Sequence, residues 1–142
     1  MATVELRFSA QPEHVRTARL VAAAVARRAG VEEAVLDEVR LAVGEACSRA
    51  VGLHLGSGVT NPVRVVLNDE EKLFSIEVVD EVVGSSGAGS AGGAGPDQDA
   101  EDEDEMGLAV IRGLVDDVEV SAGESGGVIR MSWPVAGAPE LA

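Results

Sequence analysis

The first chemistry legible in the chain comes from two charged residues four apart. Glu45 and Arg49 have the i, i+4 spacing that brings a carboxylate and a guanidinium together on one helix face, acid first, which is the favourable order. A carboxylate held in such a pair is not free to act as a general base. Asp80 closes an alternating apolar run, at a place where a strand would turn. Arg16, Arg19, Arg27 and Arg28 fall on one early helical segment, either as solvated surface charges or as planar forks offered to a partner's carboxylates. Other chemistries are poorly supplied. The lone Cys47 rules out an internal disulfide framework and a multi-cysteine zinc site, and it reads as a small core residue. His14 and His54 have no carboxylate or cysteine at ligand spacing, so no metal site is expected from them.

Charge narrows the range of partners. The chain of 142 residues carries 11 Lys and Arg against 25 Asp and Glu, a formal charge of −14 that repels nucleic-acid backbones and anionic membranes. Direct nucleic-acid and membrane partners are therefore not expected. Seven of the acids lie between Asp97 and Glu105; without them 18 acids face 11 bases, a charge of −7. Phe8, Phe74 and Trp133 are the only large aromatics, so the core must come from Val, Leu, Ile and Ala. The N-terminus alternates from Thr3 to Arg7 in place of a basic and then apolar leader, and no long apolar run follows. A cytoplasmic location is the expectation.

These residues need elements to position them. Val4, Leu6 and Phe8 alternate with polar residues as a strand with one buried face. Pro12 and Glu13 suit a helix start, and Val15, Ala18, Ala22, Val25 and Ala29 recur at helical spacing up to Gly30. A second helix is predicted from about Val31 to Leu55, with Gly44 inside it marking close packing or a nearby ligand. A hairpin follows, with strand patterns at Val63, Val65 and Leu67 and at Phe74, Ile76 and Val78, joined through Asn68 to Glu71. Gly84 to Gly95 holds six glycines and leads into Pro96 and the acids, so residues 84–105 are read as a mobile loop. Helical spacing resumes at Met106, Val110, Ile111 and Leu114; strands follow at Val118 and Val120 and at Ile129, Met131 and Trp133. The order predicts one α+β domain over 1–135, a two-layer sandwich with a mixed or antiparallel sheet and helices on one face. Residues 136–142 read as a flexible tail.

Three segments together resemble a known family: Glu45-Ala-Cys-Ser-Arg49-Ala, Asp80-Glu-Val-Val-Gly84, and Met106-Gly107-Leu-Ala-Val-Ile111 followed by Asp116-Asp117-Val118. They look like the N, G1 and G2 boxes of the gyrase and histidine-kinase-type, Bergerat-like ATP-binding fold. Length and element order are similar to the anti-sigma-factor serine kinases of bacterial partner-switching systems, from Phe8-Ser9-Ala10 to Gly127-Val-Ile-Arg130. The resemblance implies that Glu45 is the general base, that Asp80 reads the adenine amino group, and that Gly84 and Gly107 border the nucleotide. It implies that 84–105 is the ATP lid, that Arg19, with Arg16 beside it, faces a sigma factor and an anti-anti-sigma protein, and that the chain dimerises.

The same comparison exposes three departures. Arg49 stands where the family has a magnesium-holding asparagine, and a guanidinium has no acceptor to offer a cation. Val82 replaces a glycine at the pocket rim, where a β-branched side chain resists positive φ and close backbone approach. Glu105 puts negative charge where phosphates would meet a helix start. The expectation is an anti-sigma-like regulator with weakened or lost ATP binding and kinase activity, and with no cofactor. An active serine kinase acting on an anti-anti-sigma partner, dependent on ATP and magnesium, is the alternative; a nucleotide-independent adaptor is the second.

Overall fold

The computed structural model describes residues 2–70, 72–82, 107–123 and 126–135. The expected lid at 84–105, with Gly84 and Glu105, and the tail at 136–142 lie outside the described residues. The chain runs β1 (Ala2–Phe8), α1 (Glu13–Ala29), α2 (Glu33–Ser57), β2 (Val63–Glu70) and β3 (Leu73–Asp80). A helical stretch at 107–114 (α3) precedes β4 (Asp117–Gly123) and β5 (Gly126–Pro134).

Local chemistry explains the helix limits. Pro12, with its φ preset at −56°, caps α1, Glu13 lies at the positive end, and Arg27 and Arg28 lie at the negative end. Gly30 ends the helix in the left-handed region at φ 101°, and the amides of Gly30 and Val31 donate back to the Arg27 and Ala26 carbonyls. The second helix begins two residues later and ends two residues later than the sequence pattern suggests.

The five strands form one sheet in the order β1-β2-β3-β5-β4, with every neighbouring pair antiparallel. Val63, Val65 and Leu67, Phe74, Ile76 and Val78, and Ile129, Met131 and Trp133 form the buried face against the helices. Each such side chain contributes about 1.5–3 kcal/mol by leaving water. The hairpin turn is tighter than the polar run Asn68–Glu71 suggests, because β2 continues to Glu70, which pairs with Leu73. The alternation in β1 does not give a buried face: Val4 is 38% exposed, while Leu6 and Phe8 are only half-buried. As the edge strand among the described residues, β1 has a neighbour on one side only, and the helix layer does not cover it fully.

Alanines set the helix layer. Ala18, Ala22 and Ala26 bury the inner face of α1, and their small size lets it lie close to α2. The central helix α2 is buried on most of its circumference, with Leu36, Val39, Val43, Ala46, Cys47 and Ala50 all inside. Its start is tied to the sheet by Trp133, whose Nε1–H donates to Glu38 Oε1 at 3.0 Å. Among the described residues no helix is long and apolar enough to cross a membrane.

Candidate functional site

The exposed stripe of α2 is narrow: Leu41, Glu45 and Ser48 recur at helical spacing between buried neighbours. They form the floor of a groove of about 470 Å³, with Arg16 and Arg19 of α1 on one wall and Val110 and Leu114 of α3 on the other. Two guanidinium groups therefore share an open cleft with one carboxylate and an apolar rim. Gly44 makes the close approach possible, because a Cβ there would lie 2.7 Å from Cδ of Arg19. The glycine inside the helix is thus explained by packing: it seats the arginine stem. Leu41 is 55% exposed and Val110 42%, an unusual position for large aliphatic side chains beside charge.

A second cluster lies at the carboxyl end of β3. Asp80 is buried, and its Oδ1 accepts the Val82 amide at 2.9 Å and the Gly127 amide at 3.3 Å. Its Oδ2 faces Arg49 Nη1 at 3.9 Å, with both side chains almost wholly out of water. The expected Glu45–Arg49 pair is not the one formed: Arg49 projects inward from α2 to the sheet, whereas Glu45 faces the groove. Four residues advance a helix by slightly more than one turn, and the Arg49 side chain, buried on the inner side of α2, reaches the acid of the sheet instead of lying along the helix surface. Close behind lies His54, fully buried. The Glu81 amide donates to its Nε2 at 2.9 Å, so Nδ1 carries the proton and donates to the Asn61 carbonyl, also at 2.9 Å. Asn61 Nδ2 in turn donates to Glu81 Oε1 at 2.6 Å. On the opposite side, Gly126 at φ 140° admits the Asp80–Glu81 backbone; a Cβ there would lie 1.9 Å from the Asp80 carbonyl oxygen.

Residues 8–133 match the family model described as the histidine kinase-like ATPase domain. The chain belongs to that family. It is 27% identical over 146 residues to the serine-protein kinase RsbW of Oceanobacillus iheyensis, covering 94% of this chain and 87% of the relative. It is also 27% identical over 139 residues to the RsbW of Halalkalibacterium halodurans, covering 92% and 82%. Its fold is similar to a solved structure of the RsbU and RsbW domains of Rv1364c from Mycobacterium tuberculosis, with TM-score 0.64 at 16% identity. That alignment covers 93% of this chain and 32% of the larger one.

Within this ATPase-domain fold, the residues singled out from the sequence divide between the two clusters. Glu45, Arg16 and Arg19 meet in the groove, while Asp80, Arg49 and Val82 meet at the end of β3. Gly107 begins the described part of α3, where a Cβ would meet nothing within 4 Å. His54, Asn61 and Gly126 are neighbours of the Asp80 end that sequence reasoning does not find. A lone histidine near a helix end carries no spacing signal, and a glycine's need for positive φ or close backbone approach is not visible from its neighbours. Cys47 is a core residue of α2, and burial pushes its thiol up from 9.0 to about 12. Among the described residues no group of three or more His, Cys, Asp and Glu is placed to hold a metal ion.

Proposed function

We propose that this chain is an anti-sigma-like regulator that captures a sigma factor, yields it to an anti-anti-sigma protein, and does so with weakened or lost ATP binding and phosphotransfer. The observation that carries this reading is the buried approach of Arg49 to Asp80. The carboxylate that the family resemblance assigns to adenine already accepts two backbone amides and faces a guanidinium of its own chain. Nor does the donor set suit magnesium, since Arg49 supplies five N–H donors and no acceptor where a hard cation needs oxygen. Val82 adds a branched side chain at the turn. The relatedness to the RsbW serine-protein kinases supports the protein partners, and the groove supplies a surface for them: Arg16 and Arg19 beside exposed Leu41 and Val110.

The test is titration calorimetry, first with ATP and magnesium and then with a candidate sigma factor. The expected result is no measurable heat with nucleotide and saturable binding of the protein. Micromolar, magnesium-dependent ATP binding with phosphate transfer to an anti-anti-sigma partner would overturn the reading. One observation favours that second reading, the active kinase: Glu45 stands half-buried in the groove and makes no ion pair with the other described residues, so its carboxylate is available as a base.

A further inference from the structure

We propose that His54 is the positioning residue of the Asp80 end, a neutral imidazole whose two nitrogens fix where β3 stops and how Asp80 is presented. The ladder between β3 and β5 ends at the Asp80–Gly127 pair, so the next amide, that of Glu81, has no strand partner among the described residues. Its bond to His54 is part-buried, so losing the acceptor would leave a partly desolvated amide unpaired. His54 Nε2 supplies the acceptor from the last turns of α2, and its Nδ1–H is used at the same time on the Asn61 carbonyl of the α2–β2 connection. The third side of the ring is the bond from Asn61 Nδ2 to Glu81 Oε1. The end of α2, the α2–β2 connection and the end of β3 are thereby closed into one cycle around the residue that follows Asp80.

The cycle acts on Asp80 because the backbone there is held from two sides. Gly126 packs on the Asp80 carbonyl and the Glu81 Cα so closely that no side chain fits, and His54 holds the Glu81 amide. With that peptide fixed, the Val82 amide falls within reach of Asp80 Oδ1, and Oδ2 is left facing Arg49. Only one tautomer serves: a proton on Nε2 would set donor against donor at Glu81, and an unprotonated Nδ1 would set acceptor against acceptor at Asn61. His54 touches no candidate ligand atom itself and acts through Glu81 and Asp80. The inference rests on reading Asp80 as the pocket residue for its functional meaning, while the geometry it asserts stands apart from any nucleotide.

The experiment uses the full chain with ¹⁵N-labelled histidine, together with amide hydrogen exchange in three proteins: wild type, His54→Gln and His54→Phe. In the wild type, Nε2 of His54 should appear as an unprotonated, hydrogen-bonded nitrogen and Nδ1 as the protonated one. His54→Phe should speed exchange of the Glu81 and Val82 amides about tenfold, the loss expected for one part-buried hydrogen bond, and leave the β1–β2 amides unchanged. Glutamine can place its Oε1 near the position of Nε2, so His54→Gln should restore slow exchange at Glu81. A protonated Nε2 in the folded wild type, or equal exchange at Glu81 in wild type and His54→Phe, would overturn the proposal. If His54→Phe does not fold, the wild-type tautomer and the glutamine variant decide it. ATP binding by the wild type would refute the proposed function while leaving these readouts as they are, so the two failures are distinguishable.

Discussion

The groove above α2 and the cluster at the end of β3 use the same side-chain types in opposite ways. At the end of β3, Asp80 is out of water, accepts two amides and faces Arg49. In the groove, Arg16 and Arg19 stay exposed beside half-buried Glu45, and aliphatic side chains border them. A buried charge must be matched from within, because desolvation costs several kcal/mol for each ion. A charge in an open cleft carries no such demand and keeps its bonding capacity for whatever arrives. Both regions hang on α2, one on its inner face and one on its outer stripe. A single helix thus separates charge used for structure from charge available for recognition.

The strongest way to break that comparison is to remove one acid from each region. Asp80→Ala should cost about 3 kcal/mol or more, since it takes away the carboxylate that buried Arg49 faces and withdraws the acceptor from the Val82 and Gly127 amides. Glu45→Ala should change stability by less than about 0.5 kcal/mol, as at an ordinary surface site. Urea midpoints of the two variants measure the difference, and similar midpoints would show that the regions are not distinct. The next effect is on binding. Arg19→Glu reverses charge in the groove and should weaken capture of a sigma factor by more than about tenfold, with an unchanged circular dichroism spectrum. Undiminished affinity in the folded variant would remove the groove from recognition.

The two regions also differ in how far they could be read from sequence. Period-2 and helical spacing locate each strand and helix of the described residues, since burial of Val, Leu, Ile and Ala on one face is a local pattern. Edge position is not local, and so the alternation places Val4 inside although it lies 38% exposed on β1. The groove was half legible: Arg19 and Glu45 stood out, but their meeting depends on how α1 crosses α2, which Gly44 permits. The end of β3 was least legible. The i, i+4 rule points Arg49 at Glu45, whereas tertiary burial takes it to Asp80, 31 positions away in the chain. The His54 ring joins residues 7 and 27 positions apart, a closure that no spacing rule announces.

A smaller effect sharpens the groove's side of the comparison. Gly44→Ala adds helix propensity of about 1 kcal/mol, yet the new Cβ falls 2.7 Å from Cδ of Arg19. The arginine stem is flexible and can swing aside, so the protein should remain as stable as wild type or gain slightly. Its partner affinity should still fall, by about fivefold or about 1 kcal/mol, because Arg19 leaves its seat. Loss of stability together with affinity would mean that the groove is packed as tightly as the core. Unchanged affinity would mean that the position of Arg19 is not what a partner reads.

The smallest effect is expected at Cys47, which lies on α2 between Glu45 and Arg49 but on the buried side. Burial holds its thiol up to about 12 against 9.0 for an open one, so at neutral pH the thiolate that reacts is scarce in both states and the folded thiol is also inaccessible. A thiol reagent at pH 7 should therefore label the native protein only as fast as it unfolds. Alkaline pH gives the sign. Between 9.0 and about 12 the unfolded chain has released this proton while the folded chain keeps it, so stability falls as pH rises through that window and is unaffected by this group below it. Cys47→Ala removes the contribution, and its stability should fall less steeply above pH 9 than that of the wild type. Parallel slopes for the two proteins, or rapid labelling at pH 7, would show that α2 opens between the groove and Asp80, and the separation of the two regions would then be dynamic.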